Sequence, residues 1–263
     1  MLYENIPGVP DFACAEYAPK KNAYCLLIPV INENGRVASQ LEKARNLKVS
    51  ELADIVVCDG GSIDGSVEDG ILAPLGVNAK LVKLGAGRLG AQLRMGFWWA
   101  LTRGYEGVVT ADGNDKDGME AVGRFTECLS IGYDFVQGSR FIKGGLAKNT
   151  PPLRHLAIKL IHAPLISLAA GKRYTDTTNA FRAYSRAYLT HPDVIPFREV
   201  FGSYELLAYL SAKADRLGLR TCEVPVARVY PKKGGVPTKI SFFSGNFELI
   251  RILINNLRGK YDA

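Results

Sequence analysis

The sequence predicts an α/β domain on a mostly parallel central sheet, and three observations predict it. Short apolar runs recur along the chain with helix-period segments between them, the pattern of βαβ units. The runs "YCLLIPV", "DIVVC" and "GVVT" are apolar at nearly every position, as strands covered on both faces are. Polar clusters follow the carboxyl ends of these runs, where parallel sheets bind their ligands.

In chain order, a proline-containing N-terminal arm (residues 1–22) leads into a first strand at 24–30. A helix is expected from about 34 to 46, a strand at 54–58, a Gly/Ser/Asp turn, and a strand at 79–84. Helix 88–103, strand 107–111, helix 118–131 and strand 133–137 continue the alternation. The second half is less regular. Residues 153–171 read as helical with an interruption at Pro164, and 201–218 as a helix closed by Gly218. A strand at 219–229 and a Gly/Pro loop follow. The last helix, 241–258, carries Phe243, Phe247, Ile250, Ile254 and Leu257 on one stripe. The simplest partition is one domain over 23–240 with an amphipathic helix (241–263) appended.

A chain of 263 residues buries roughly three quarters of its unfolded surface, so it needs no staples. Its five cysteines are scattered and form no CxxC pair. Neither a zinc site nor a disulfide framework is indicated, and a reducing, cytoplasmic setting is expected. The N-terminus lacks the basic and apolar regions of a signal peptide. The most apolar stretch, "LAIKLIHAPLISLAAG", is broken by Lys159 and His162, short of the roughly 18 uninterrupted apolar residues of a span. The net charge of +7 is uneven: Lys213, Arg216, Arg220, Arg228, Lys232, Lys233 and Lys239 face only Asp215 and Glu223 across one segment. Such an excess suits phosphates or an anionic membrane surface. Nucleic acid is not expected, because no recognition motif accompanies the charge.

Four strand ends carry chemistry. "IPVINENGRV" places Asn32 and Glu33 before a helix, and "VVCDGGSIDGS" places Asp59 before two glycines and Ser62. "GAGRLGAQLRMGF" sets Arg88, Gln92 and Arg94 at a glycine-rich helix start, where amides and guanidiniums suit a diphosphate. "GVVTADGNDKDG" drops from a strand into Asp112, Asn114, Asp115 and Asp117. Carboxylates crowded at a strand end repel one another. Oxygen ligands so gathered suit a hard divalent cation, Mg²⁺ or Mn²⁺, which would assist departure of a diphosphate.

The order of these clusters resembles the family 2 glycosyltransferases of the GT-A fold. The family's "PxYNE", "VDDGSxDGT", "GKGAALRxGF" and "DAD" stand here as "PVINEN", "CDGGSIDGS", "GRLGAQLRMGF" and "ADGND". With "VQGSRF", "TDTTNAFRAYSR" and "EVPVARVY" the match looks most like the branch of dolichyl-phosphate mannose synthase and its bacterial polyprenyl-phosphate relatives. It covers residues 24–239.

The resemblance implies a GT-A (Rossmann-like) fold and an inverting hexosyltransferase. The donor would be a GDP- or UDP-sugar and the acceptor a polyprenyl- or dolichyl-phosphate, on the cytoplasmic membrane face. Pro29, Asn32, Glu33 and Asp59 would surround the base and ribose, and Arg88 and Arg94 the diphosphate. Asp112 would ligate the metal. Arg140 and Arg154 match the arginines that hold the acceptor phosphate, and Asp176 and Arg182 fall where the family lines the sugar pocket. Arg228 and Lys239 match a basic loop near the membrane. The metal motif departs from the family, reading Asp-Gly-Asn. Either Asn114 is the second ligand, a neutral one that Asp115 or Asp117 would compensate, or Thr110 and Asp112 form the pair with Asn114 in the position that follows. Gly60 also replaces the second acid of "DDGS". Two alternatives remain: a same-fold transferase acting on a saccharide in polysaccharide or glycolipid synthesis, with Asp176 or Glu205 as base, and a non-catalytic nucleotide binder with a degenerate metal motif.

Overall fold

The computed structural model describes residues 1–231 and 244–262. The strands that the apolar runs predict form at β3 (Tyr24–Val30), β4 (Asp54–Asp59), β5 (Val77–Lys83), β6 (Gly107–Thr110), β7 (Phe135–Ser139) and β10 (Thr221–Pro225). Three more join them: β1 (Leu2–Tyr3), β2 (Phe12–Glu16) and β9 (Arg182–Ser185). Together they make a nine-stranded sheet in the order β1-β2-β5-β4-β3-β6-β9-β7-β10. Its centre is parallel, β5-β4-β3-β6, whereas β9 runs antiparallel between β6 and β7. A two-stranded parallel ribbon, β8 (Leu146–Lys148) with β11 (Ala227–Val229), lies apart from it.

Both faces are covered, which explains the continuous apolar runs. On β3, Cys25 and Leu27 enter one core, with Phe97 of helix α3 (Leu89–Thr102) and Leu206 and Leu210 of α8 (Glu205–Arg216). The alternate residues Leu26, Ile28 and Val30 enter the other core, with Val37 and Leu41 of α1 (Gly35–Asn46) and Phe125 of α4 (Val122–Ser130). Helix α3 rides close on the sheet because Gly96 has no side chain: a Cβ there would lie 2.7 Å from Leu27 Cδ1 and 2.8 Å from Cys58 Sγ. Two short helices, α2 (Asp69–Leu72) and α7 (Arg186–Leu189), complete the connections.

Residues 1–22 are not a separate arm. β2 pairs antiparallel with β5 and extends the sheet by its edge, with Phe12 fully buried. Residues 152–170 form one helical run: α5 (Pro152–Ala157), a π turn at Ile158–His162, and α6 (Ala163–Ala170). Pro164 supplies no amide to the preceding turn, and the wide turn accommodates it. The last helix, α9 (Ser244–Leu257), packs against α6 and α8. It turns Ile252, Leu253 and Asn256 inward, so the buried face is not the Phe247/Ile250/Ile254 stripe that the sequence suggests. Lys239 lies outside the described residues.

Arg182 is enclosed by the fold rather than open to a ligand. It is 2% exposed and donates to the carbonyls of Thr177, Asn179 and Leu207 and to Ser211 Oγ, at 2.8–2.9 Å. It ties β9 to α8 and is not part of a sugar pocket. Arg182→Ala removes four buried charge-assisted hydrogen bonds. Asn179 O keeps Gln137 Nε2 and Leu207 O keeps Ser211 Oγ, but Thr177 O loses its donor, so we expect the unfolding free energy to fall by about 3 kcal/mol or more. A urea titration with a lower midpoint and an unchanged slope is the readout.

Candidate functional site

The parallel strands β3, β4 and β6 end at one edge of the sheet. At β4, Asp59 accepts from Ser62 N (2.9 Å) and Ser62 Oγ (2.7 Å), closing its own turn. Asn32 has φ 48, a left-handed conformation that asparagine tolerates. From it Asn32 N donates to Ser62 Oγ at 3.0 Å, and its Oδ1 accepts from Ile63 N at 2.9 Å. The two turns are thereby stitched together. Glu33 is held by Arg36 at 2.8 Å. Gln92 Nε2 donates to Val30 O and Cys58 O, 2.8 Å each, and joins α3 to the ends of β3 and β4. A Cβ at position 60 would come 3.0 Å from that amide, a tight approach that leaves little room for a side chain there. Pro29 is buried in β3 behind these turns.

Arg88 is exposed at the start of α3, and its amide donates to Gly202 O at 2.8 Å. Beside it is a cleft of about 330 Å³ lined also by Ser203, Glu199, Glu205 and Glu248. Arg94, six residues on, points elsewhere: it is 5% exposed and donates to Gly8 O. Burial lowers its pKa. It fastens the N-terminal segment and does not join Arg88, contrary to the expected diphosphate pair.

The acidic stretch after β6 divides three ways. Asp115 turns to α1, bonded to Ser39 at 2.8 Å and paired with Lys43 at 2.7 Å, so it does not complete a metal set with Asp112. Asp117 has a fully buried side chain, ion-paired to Arg228. Asp112 keeps 24% of its side chain exposed, and its Oδ2 receives Arg228 at 2.8 Å. Burial opposes ionisation of Asp112, but the Arg228 guanidinium outweighs it and holds the carboxyl below its usual value. For Asp117 burial wins, and its carboxyl is raised. Asn114 Nδ2 lies 3.4 Å from Asp112 Oδ2, while its Oδ1 is buried without a hydrogen-bond partner. An unpaired amide oxygen beside a partly open carboxylate fits a divalent cation. Among the described residues no group of three His, Cys, Asp or Glu side chains does so. Any such ion would therefore lean on its ligand's oxygens.

Arg228 itself is a correction to the sequence reading. It is not on a surface loop: it sits on β11, 5% exposed, beneath the acidic stretch. Around the ring of Tyr230 stand Lys116 (5.1 Å), Arg154 (5.9 Å) and Arg228 (5.9 Å), three cations on one buried aromatic. Burial, then Arg228, pushes Lys116 down to about 8. Arg140 and Asp176 are also adjacent, but as an enclosed pair: Nε to Oδ2 is 2.6 Å and Nη2 to Oδ1 is 2.8 Å, both side chains at most 1% exposed. Sequence reasoning missed Lys116 and Tyr230. The one signal was a lysine set between Asp115 and Asp117.

No family model matches the chain. In sequence it is similar to polyprenol monophosphomannose synthase of Mycolicibacterium smegmatis, 25% identical over 240 residues, which cover 90% of this chain and 88% of that one. It is similar to the undecaprenyl-phosphate mannosyltransferase of Micrococcus luteus, 29% identical over 216 residues, 79% of this chain and 84% of that one. With the dolichyl-phosphate hexose transferase of Haloferax volcanii it shares 34% identity over 138 residues, 52% of this chain and 55% of that one. Among solved structures it is similar to glucosyl-3-phosphoglycerate synthase from Mycobacterium tuberculosis in complex with Mn²⁺, UDP and phosphoglyceric acid. The TM-score is 0.63 at 18% identity, over 89% of this chain and 78% of that one. The sheet order, the strand-end turns and these likenesses agree: the chain has the GT-A glycosyltransferase fold and is similar in sequence to transferases named for polyprenol and undecaprenyl phosphate.

Proposed function

We propose that this protein transfers a hexose from a nucleotide-sugar donor to a polyprenyl-phosphate-type acceptor with inversion at the anomeric carbon. One observation carries the acceptor class: Lys116, Arg154 and Arg228 converge on Tyr230 beside Asp112, a cationic seat at the strand ends suited to a phosphate. The names of the relatives support the same acceptor. The turns of Asn32 and Asp59 form the donor edge, and Arg88 is the exposed guanidinium beside it.

A lipid phosphate oxygen attacks the anomeric carbon from the face opposite the diphosphate. The new C–O bond forms as the bond to the diphosphate breaks, and the nucleoside diphosphate leaves with the electron pair. A phosphate monoester is largely dianionic near neutrality (second pKa about 6), so the acceptor needs positioning and no strong base. The site's carboxylates suit that division. Asp176 is committed to Arg140, and Glu205 takes the Ser203 amide at 2.6 Å. This favours the phosphate acceptor over a saccharide, whose hydroxyl would require a base. Asp112 and Asn114 Oδ1 would hold Mg²⁺ or Mn²⁺, and when bound the ion supplies charge neutralisation to the departing diphosphate. The solved relative's complex with Mn²⁺ and UDP supports this reading. Arg228 keeps Asp112 ionised for it.

Three outcomes are expected. Thermal unfolding with GDP or UDP at about 100 times the dissociation constant gains about 2.7 kcal/mol. The gain requires Mn²⁺ or Mg²⁺ and is lost in Asp112→Asn; a shift indifferent to both metal and substitution would favour a non-catalytic nucleotide binder. Arg154→Ala lowers kcat/KM for a prenyl phosphate by about 10- to 100-fold, the loss of one charge-assisted contact, with the nucleotide-induced melting shift unchanged. Undiminished transfer by that variant sinks the phosphate-acceptor assignment. Lys116, with its pKa lowered to about 8, is cationic below that pH and neutral above it. KM for the prenyl phosphate therefore climbs as pH rises through about 8, and in Lys116→Met this alkaline limb disappears.

A further inference from the structure

The helical run Pro152–Ala170 has a mean hydropathy of 1.2 over its most apolar window, yet only 28% of that window is buried. Its inward side is accounted for: Ala163, Ile166, Ala169 and Ala170 are buried, and α6 packs on α8 and α9. Its outward side is apolar as well. Leu153, Leu156, Leu160 and Leu168 are 54–68% exposed and recur at helical spacing, with exposed Pro164 between them. Single exposed leucines are ordinary, but a row of four along about 22 Å of helix is a patch that calls for a partner.

The charges around the row identify that partner. Between Asp134 and Asp176 there is no acidic residue, while seven basic ones occur. Of these, Lys143, Lys148, Lys159, Lys172 and Arg173 are exposed. Lys159 lies on the run itself, and Lys143 and Lys148 flank the partly exposed Leu146 of β8. A second copy of the chain would bring like charges together and is disfavoured. A membrane-crossing role would tear α6 from the core it packs against. We propose that the outward face of Pro152–Ala170 docks the enzyme on an anionic bilayer surface, the leucines entering the headgroup boundary and the lysines meeting lipid phosphates. Arg154, in the first turn of the same run, would then carry the cationic seat to the lipid–water boundary. That last consequence rests on the acceptor reading above; the docking face does not.

The test is sedimentation of the full chain with phosphatidylcholine vesicles, with and without phosphatidylglycerol, at low and high salt. The wild type is expected to bind vesicles containing phosphatidylglycerol and to release them in high salt. The double variant Leu156→Glu/Leu160→Glu is expected to lose about tenfold or more of its partitioning. Its melting midpoint, its nucleotide-induced melting shift and its turnover of a water-soluble short-chain prenyl phosphate should be unchanged. A double variant that sediments like the wild type overturns the proposal. So does wild-type binding that ignores phosphatidylglycerol, or a solution dimer that the two glutamates split. If neither protein transfers sugar to a prenyl phosphate, the acceptor reading fails and the sedimentation result stands by itself.

Discussion

Arg228 reaches from β11 back to Asp112 and Asp117, more than a hundred residues earlier in the chain, and the site depends on that reach. Asp117 has no exposed side-chain surface and Arg228 almost none. Neither could be charged there without the other. Such a buried network adds little net stability over an apolar core of the same volume. Breaking it is a different matter: a lone buried charge costs several kcal/mol. The network therefore specifies a geometry, locking the segment after β6 to the small β8–β11 ribbon. With the segment locked, Asp112 stays ionised at the strand end and Tyr230 is held beneath three cations.

The other half of the site is built with short-range chemistry. Asp59, Ser62, Asn32 and the amides around them close two tight turns on each other, and Gln92 clamps both strand ends from α3. These groups spend much of their hydrogen-bonding capacity on one another. The two strand-end turns are consequently fixed against one another. Arg88 is exposed and Arg154 half-buried, free of such turns.

Two charged clusters with similar residues have different fates. Arg140–Asp176 is closed off from water, whereas in the Lys116–Arg154–Arg228 group Arg154 is half-buried and Asp112 beside it keeps part of its side chain exposed. The closed pair orders the β7 strand end. Lys116 and Arg228 are themselves buried, so what separates the two clusters is the partly open Asp112–Arg154 side of the second.

The sequence by itself determined the class of fold, because strands covered on both faces must be continuously apolar and the helices between them must keep a 3.6-residue period. It also determined where chemistry would lie, since asparagine, aspartate and glycine at strand ends are local features legible from a few neighbouring residues. Only the tertiary structure, through long-range packing, decided which charged side chains stay exposed. Arg94 and Arg182 look in the sequence like Arg88 and Arg154, yet packing of α3 and α8 closes over the first two. The strands β2 and β9 were also illegible, because an antiparallel strand that alternates buried and half-buried residues and a short strand beginning on a buried arginine lack the apolar run that marks the others. The two leucine-bearing sides of Pro152–Ala170 are equally apolar in sequence. Which of them is core is a property of what packs against it, a long-range contact that no local pattern encodes.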